Sequence, residues 1–453
     1  MGNLYGSLIS TADSMRVFER ALSAVQNNVV NADTPGYAKQ RQMFIADRFD
    51  PDRSVVGGVS AGAVLDYRSI YLERSVQARN SQFSFEDQRR TSLASVELVF
   101  PVTENAGVPA GLNRFFSTFS QLTVAPNDVS TREVALDRAR DVAFDFRTTA
   151  GQLLEQRGVT QQELRDSITE VNAIVGRIRE INAQRTPSEG RTNDAGSQAQ
   201  LYAALEELSG YVDFQVLEDT QGGVSLYLGG RTLLLIGDRQ YELSTDVLND
   251  QARVLDSEGN DVTSFLRGGK VAGLVDVYNN KLPSYLNDLN TLAATFADQV
   301  NQQLAQGLDL NGNPPTQDLF GYDGTLGAAF TLQANGLTPE ALALSGTDAP
   351  GGNGNVIALV GLPQQRLVAN QTFQEFYGGL SGRVGRDLVN SRDISTAQND
   401  LLAQAKAIRQ ESQGVSLDEE AALLIQYQRS YQAAAQLFKT INEMTQAVFN
   451  ALQ

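Results

Sequence analysis

Two apolar stripes, one at each end of the 453-residue chain, constrain the fold more than any other feature. Near the start, Leu4, Leu8, Met15, Phe18, Leu22, Val25 and Val29 keep a spacing of three and four, with Thr11 as the one polar member. Near the end, Leu424, Tyr427, Tyr431, Ala434, Phe438, Ile441, Val448 and Leu452 do the same, broken only by Thr445. A period near 3.5 suits a helix that lies along another helix. The matched ends predict N- and C-terminal helices paired as an antiparallel coiled coil, with everything else between them. An ordinary core stripe at each end is the alternative. Long helices draw most of their stability from packing, so these ends are expected to reach full burial only among neighbouring copies.

Local signals fix where the two helices stop and start. Ser416 with Glu419 forms a capping-box pattern, and Asp418, Glu419 and Glu420 place negative charge in a first helical turn. The first helix ends in Asn31-Ala32-Asp33-Thr34-Pro35-Gly36-Tyr37, because Pro35 disfavours helical geometry at Thr34 and has no N–H for the ladder.

Composition removes most chemistry. The formal net charge of −17 argues against nucleic acid and anionic membrane surfaces, which need clusters of Lys and Arg. Cysteine, histidine and tryptophan are absent. Without thiols there is no disulfide framework or thiolate metal site, and without imidazole the Ser-His and Cys-His nucleophile systems are closed. Carboxylate chemistry alone stays open. Met1 to Gly6 carry neither a positive leader nor a continuous apolar core, and no apolar run approaches a membrane span, so neither a cleaved signal peptide nor a membrane anchor is expected.

Between the ends, the pattern predicts a mainly α fold with a smaller inserted β domain. Residues 38–65 are strand- and loop-like around Gly57, Gly58 and Gly62. A helix from about Ile70 to Phe100 turns Leu72, Val76, Phe83, Leu93 and Val96 inward, and a shorter one to Leu122 carries Phe115, Phe116 and Phe119. Ser130 with Glu133 is a second capping box, opening a helix with Ala135, Ala139, Val142, Phe146 and Leu153 on its stripe. A separate helix carries Leu164, Ile168, Val171, Val175, Ile178 and Ile181 and closes at Thr186–Gly190. After a short helix at Leu201–Leu208, alternation from Val212 onward, with Gln221-Gly222-Gly223 as a turn, predicts a β-meander reaching about Phe265. Leu282 to Leu304 restores the helical stripe. Phe373–Val384 is helical, and a last bundle helix from about Ser391 to Gln413 buries Ile394, Leu401, Leu402 and Ile408. The expected domains are 1–36 with 414–453 for assembly, 37–209 with 266–413 as an elongated helical bundle, and 210–265 as the β insert.

No catalytic, metal or cofactor site emerges. Asp309-Leu310-Asn311-Gly312-Asn313 begins like a calcium loop, yet Pro314 replaces the sixth-position Gly and Phe320 the twelfth-position Glu, so a plain turn is expected. Gly268-Gly269-Lys270 lacks the upstream Gly of a phosphate loop, and Val271 stands where Ser or Thr would hold magnesium.

Asn27-Asn28-Val29-Val30-Asn31-Ala32-Asp33-Thr34-Pro35-Gly36-Tyr37 resembles the N-terminal signature of the bacterial flagellar rod, hook and hook-associated axial proteins. Gly414 to Ala435 is similar to the C-terminal signature of the hook-associated members at the hook–filament junction. Tyr227-Leu228-Gly229-Gly230, Gly307 to Asn313 and Phe376-Tyr377-Gly378-Gly379-Leu380 extend the likeness through the middle. The resemblance implies a structural, non-enzymatic subunit of the flagellum, assembled as a ring at the hook–filament junction through its terminal helices. Leu4, Leu8, Met15, Phe18, Leu22, Val25, Leu424, Tyr427, Tyr431, Phe438 and Ile441 would form the assembly interface. Implied partners are copies of itself, the hook protein, the second junction protein, and an export chaperone on the C-terminal helix. It further implies secretion to the extracellular flagellum by type III export, without a cleaved signal. A hook or distal-rod protein is the alternative, and a secreted wall-degrading flagellar accessory enzyme a more distant one.

Overall fold

The computed structural model describes residues 2–50, 55–101, 106–185, 194–218, 223–347 and 351–451. Leu452, the closing segment Thr186–Gly190 and the turn residues Gln221 and Gly222 lie outside them. The chain opens with helix α1 (Gly2–Val30) and the antiparallel hairpin β1 (Gln40–Asp50) and β2 (Val55–Asp66). Helices α2 (Ile70–Glu97), α3 (Gly107–Leu122), α4 (Val129–Arg185) and α5 (Ala195–Tyr211) follow. Then come strands β3 (Phe214–Glu218), β4 (Val224–Leu228), β5 (Thr232–Ile236), β6 (Arg239–Gln240), β7 (Ser244–Leu248) and β8 (Gln251–Leu255). Helix α6 (Gly269–Asp276) runs through a π-helical turn, Val277–Lys281, into α7 (Leu282–Leu304). Short pieces β9 (Phe320–Gly321), α8 (Ala328–Thr331), β10 (Gln333–Ala334) and α9 (Gly354–Val360) lead to α10 (Phe373–Gln413) and α11 (Leu417–Ala451).

Two compact units share these elements. One holds the chain up to Ser81, Asn172–Tyr241 and everything from Gln398 on; the other holds Gln82–Val171 and Glu242–Ala397. The core of the second unit is aromatic. Phe115, Phe119, Phe146, Phe296, Phe320 and Phe373 are all buried, and the Phe296 ring lies 5.1 Å from Phe320, 5.4 Å from Phe115 and 5.8 Å from Phe373. Such tilted and edge-on pairs add to the area term of burial.

Several expectations need correction. Helix α4 is one 57-residue helix, not two. Its inward face passes from Leu153 to Leu164 through Thr160, which is buried because its hydroxyl donates to the Gln156 carbonyl at 2.8 Å. Its cap is Asp128 rather than Ser130: the Asp128 carboxylate accepts from the Ser130 and Thr131 amides at 3.3 and 3.2 Å. Helix α10 is likewise continuous, and buried Ser391 and Ser395 carry its inward face. Leu402 is buried as expected, but Leu401 and Ile408 are exposed on the other side.

The stretch 210–265 holds two sheets rather than one meander. Strands β3 to β6 form an antiparallel sheet in sequence order, while β7 and β8 pair in a separate two-stranded sheet. The turn between β7 and β8 carries Asn249 and Asp250 at positive φ, a left-handed pair that Asn and Asp tolerate best. At Asp309, the side-chain carboxylate accepts from the Asn311 and Asn313 amides at 2.8 and 2.7 Å and closes a turn.

Candidate assembly interface

Helices α1 and α11 pack against each other in antiparallel register within the first unit. Asn28, near the end of α1, donates to Glu420 in the first turn of α11 at 3.1 Å. Midway, the Tyr431 hydroxyl donates to Glu19 at 3.1 Å. Farther on, Ser7, Ser10 and Thr11 share a groove of about 570 Å³ with Ala434, Leu437 and Ile441. The numbers on α1 fall as those on α11 rise, which fixes the antiparallel sense.

The pair is not two-stranded. Hairpin β1–β2 packs along α1 as a third element. The Phe44 ring of β1 stands between the terminal helices, 5.8 Å from Phe18 and 5.7 Å from Tyr427. At the hairpin's far end Ser10 donates to the Gly57 carbonyl at 2.6 Å. Gly58 has φ +141°, and a Cβ there would sit 2.2 Å from the Ser10 hydroxyl and displace it from the Gly57 carbonyl, so glycine suits this position.

Of the sequence-predicted stripe residues, Phe18, Tyr427, Tyr431 and Ile441 make the contacts at this seam described above. Leu4, Leu8, Met15, Phe18 and Leu22 are half-buried and Val25 is buried; Val29, the last of that series, is exposed. On α11, Leu424, Tyr427, Tyr431 and Phe438 are half-buried and Ile441 is buried. The cap is looser than its motif suggests. The Glu419 amide lies 3.5 Å from the Ser416 hydroxyl, and the Glu419 carboxylate faces Arg41 at 3.6 Å.

The turn from Asn31 to Tyr37 folds onto the end of α1. Asn31 donates to the Asn27 carbonyl at 2.9 Å, and Thr34 donates to the Asn31 side chain at 3.2 Å. Pro35 is exposed. Gly36 has φ +74°, and a Cβ there would lie 2.3 Å from the Ala199 carbonyl, which makes glycine obligatory. The Tyr37 hydroxyl donates to Asn28 Oδ1 at 2.9 Å. Burial, with the nearby Asp66 and Glu420 carboxylates, pushes that hydroxyl up to about 12.

Below the turn lies a polar node that the sequence did not reveal. Buried Glu73 accepts from Arg68 at 2.7 Å, Arg409 at 3.1 Å and Gln413 at 2.6 Å. Arg409 also reaches Glu206 at 2.7 Å, and Lys406 pairs with the same carboxylate at 2.8 Å. Burial alone would push Glu206 up, but hydrogen bonds from Lys406 and Arg409 and their charges outweigh it and hold it below the usual carboxylate range. Arg68 stacks on Tyr202 at 4.1 Å and donates to the Gly36 carbonyl at 2.7 Å, tying node to turn. Charged residues on a helix predict a solvated face, so Glu73 and Arg409 carried no sequence signal of burial. Asn28 stood inside the motif without a role.

A profile described as the flagellar hook-associated protein FlgK helical domain matches residues 93–320, half of the chain. The chain belongs to the flagellar hook-associated protein FlgK family. Residues 407–451 also match the flagellar basal body rod FlgEFG protein C-terminal profile. Flagellar hook-associated protein 1 of Bacillus subtilis is 24% identical over 100% of this chain and 99% of its own length. The protein of the same name from Salmonella typhimurium is 22% identical over 98% and 99%. The flagellar hook junction protein FlgK from Burkholderia pseudomallei shares the fold with a TM-score of 0.66, at 16% identity over 75% of this chain and 100% of that one.

In this FlgK-family chain the terminal unit leaves a second apolar set uncovered. Ile425, Leu437, Met444 and Phe449 on α11 are half or more exposed, as are Tyr5 and Val30 on α1 and Phe49 on β1.

Proposed function

We propose that this chain is a structural subunit of the hook–filament junction, assembled as a ring through residues 1–36 and 414–453. The observation that carries the reading is the terminal unit: α1 and α11 satisfy one stripe against each other and leave Ile425, Leu437, Met444 and Phe449 uncovered. Each such side chain is already about half covered, so burying the rest adds roughly 1 kcal/mol, a driving force for ring closure that one chain cannot realise alone. The names of the full-length relatives point the same way. The subunit has no catalytic role. Its neighbours are copies of itself, the hook protein and the second junction protein, and an export chaperone covers the C-terminal helix before type III secretion without a cleaved signal. The half-buried stripe residues and the uncovered set of α11 together form the contact surface. Electron microscopy of a deletion strain tests this: hooks without filaments, restored by this chain, are expected. A second reading, a hook or distal-rod subunit, draws on the rod-type match at 407–451. It predicts rods without hooks in the same strain, which would displace the junction reading.

A further inference from the structure

Four helical asparagines bracket a single residue of an extended segment, accepting from its N–H and donating to its C=O. Asn182 holds Val224 at 3.1 and 2.8 Å, Asn279 holds Ala252 at 2.8 and 2.9 Å, and Asn301 holds Phe320 at 2.9 and 2.8 Å. Asn28 holds Gln40, the first residue of β1, at 2.9 Å in both directions. A primary amide presents the same donor–acceptor pair as a peptide, so each bracket takes the place of a neighbouring strand.

The remaining N–H of the amide sets Asn28 apart. At Asn182 that donor stays with the same sheet, on the Gly237 carbonyl at 3.2 Å. At Asn28 it goes to the carboxylate of Glu420, 392 positions away, and both side chains are buried. The other Glu420 oxygen has no hydrogen bond and faces Arg41 of β1 at 3.7 Å. Tyr37 closes the joint by donating to Asn28 Oδ1. One amide thus touches the end of α1, the root of the hairpin and the first turn of α11.

We infer that Asn28 and Glu420 form a latch that makes the placement of hairpin β1–β2 depend on the docking of α11. With Glu420 withdrawn, Asn28 keeps a buried donor without a partner, and its bracket on Gln40 loses the support that orients it. The hairpin then opens from its root, although none of its own residues has changed. Asn28 and Glu420 are positioning residues. The C-terminal helix and the strand pair are coupled through them, each favouring the placement of the other.

Amide exchange followed by mass spectrometry on the full chain tests the latch. Glu420→Ala should speed exchange of peptides covering 38–50 about tenfold or more, while those covering 224–236, held by Asn182, keep wild-type rates. Glu420→Gln retains an oxygen that can accept from Asn28 and should restore slow exchange. In an Asn28→Ala background, Glu420→Ala should add much less at 38–50 than it does alone, only the loss of its 3.7 Å contact with Arg41 remaining. Unchanged exchange of the hairpin in Glu420→Ala, failure of Glu420→Gln to restore it, additive effects of the two alanines, or an unprotected hairpin in the wild type would each overturn the inference.

Discussion

Tyr37 and Gly36 show how much one turn asks of single residues. The Tyr37 hydroxyl has one ordered acceptor, Asn28 Oδ1. Tyr37→Phe should cost about 1 kcal/mol in denaturant unfolding of the terminal unit. Its ionisation gives a sharper mark. The hydroxyl moves from an ordinary value of 10.0 to about 12 in the fold, so the folded state holds this proton more tightly than the unfolded chain. Its stabilising contribution is therefore complete below pH 10.0 and disappears as pH rises to about 12, and Tyr37→Phe should lose that slope. Glu206 has the opposite sign. Its pKa is depressed below 4.5 in the fold, so its contribution is present above that value and is lost on further acidification. Acid-unfolding curves of Glu206→Gln should be flatter below the ordinary carboxylate range; curves identical to wild type would remove the node from the stability account. Gly36→Ala should destabilise by about 1–3 kcal/mol from backbone conformation alone, before the clash with Ala199 is counted. Gly36 and Tyr37 were visible as members of a motif. What they touch was not, because Asn28, Arg68 and Ala199 come from α1, the β2–α2 loop and α5.

Among the elements, the terminal helices were the most legible, because a period of three and four needs no tertiary information. Helices α4 and α10 were harder to read whole: Thr160, Ser391 and Ser395 sit on their inward faces, and a polar residue on a stripe looks like its end. Gly158 lies within the same helix α4. A Cβ there would meet nothing within 4 Å, so its cost is purely conformational, and Gly158→Ala should raise stability by about 0.5–1 kcal/mol in thermal or denaturant unfolding. The hairpin β1–β2 escaped as a partner of α1 because most of β1 is exposed and its alternation is weak. On α11, Tyr431→Asp places a carboxylate beside Glu19, and Phe438→Asp charges the half-buried seam. Both should abolish incorporation at the flagellar junction by electron microscopy, while the aromatic core around Phe296 keeps its exchange protection. Loss of that protection would make them ordinary core positions.

At the scale of the whole chain, the claim is that its head and tail fold onto each other, with the hairpin as a third partner. The chain has no cysteine, so spin labels can be introduced at chosen pairs without background. Arg20 and Arg429 are exposed and lie near the Glu19–Tyr431 contact, whereas Asn450 lies 21 residues further along α11. Pulsed electron resonance on Arg20→Cys with Arg429→Cys should give one short, narrow distance. Arg20→Cys with Asn450→Cys should give a clearly longer distance, about 30 Å or more, since 21 residues at 1.5 Å per residue separate the two α11 positions along the axis. Equal distances for the two pairs, a reversed order, or distributions too broad to separate would contradict the account.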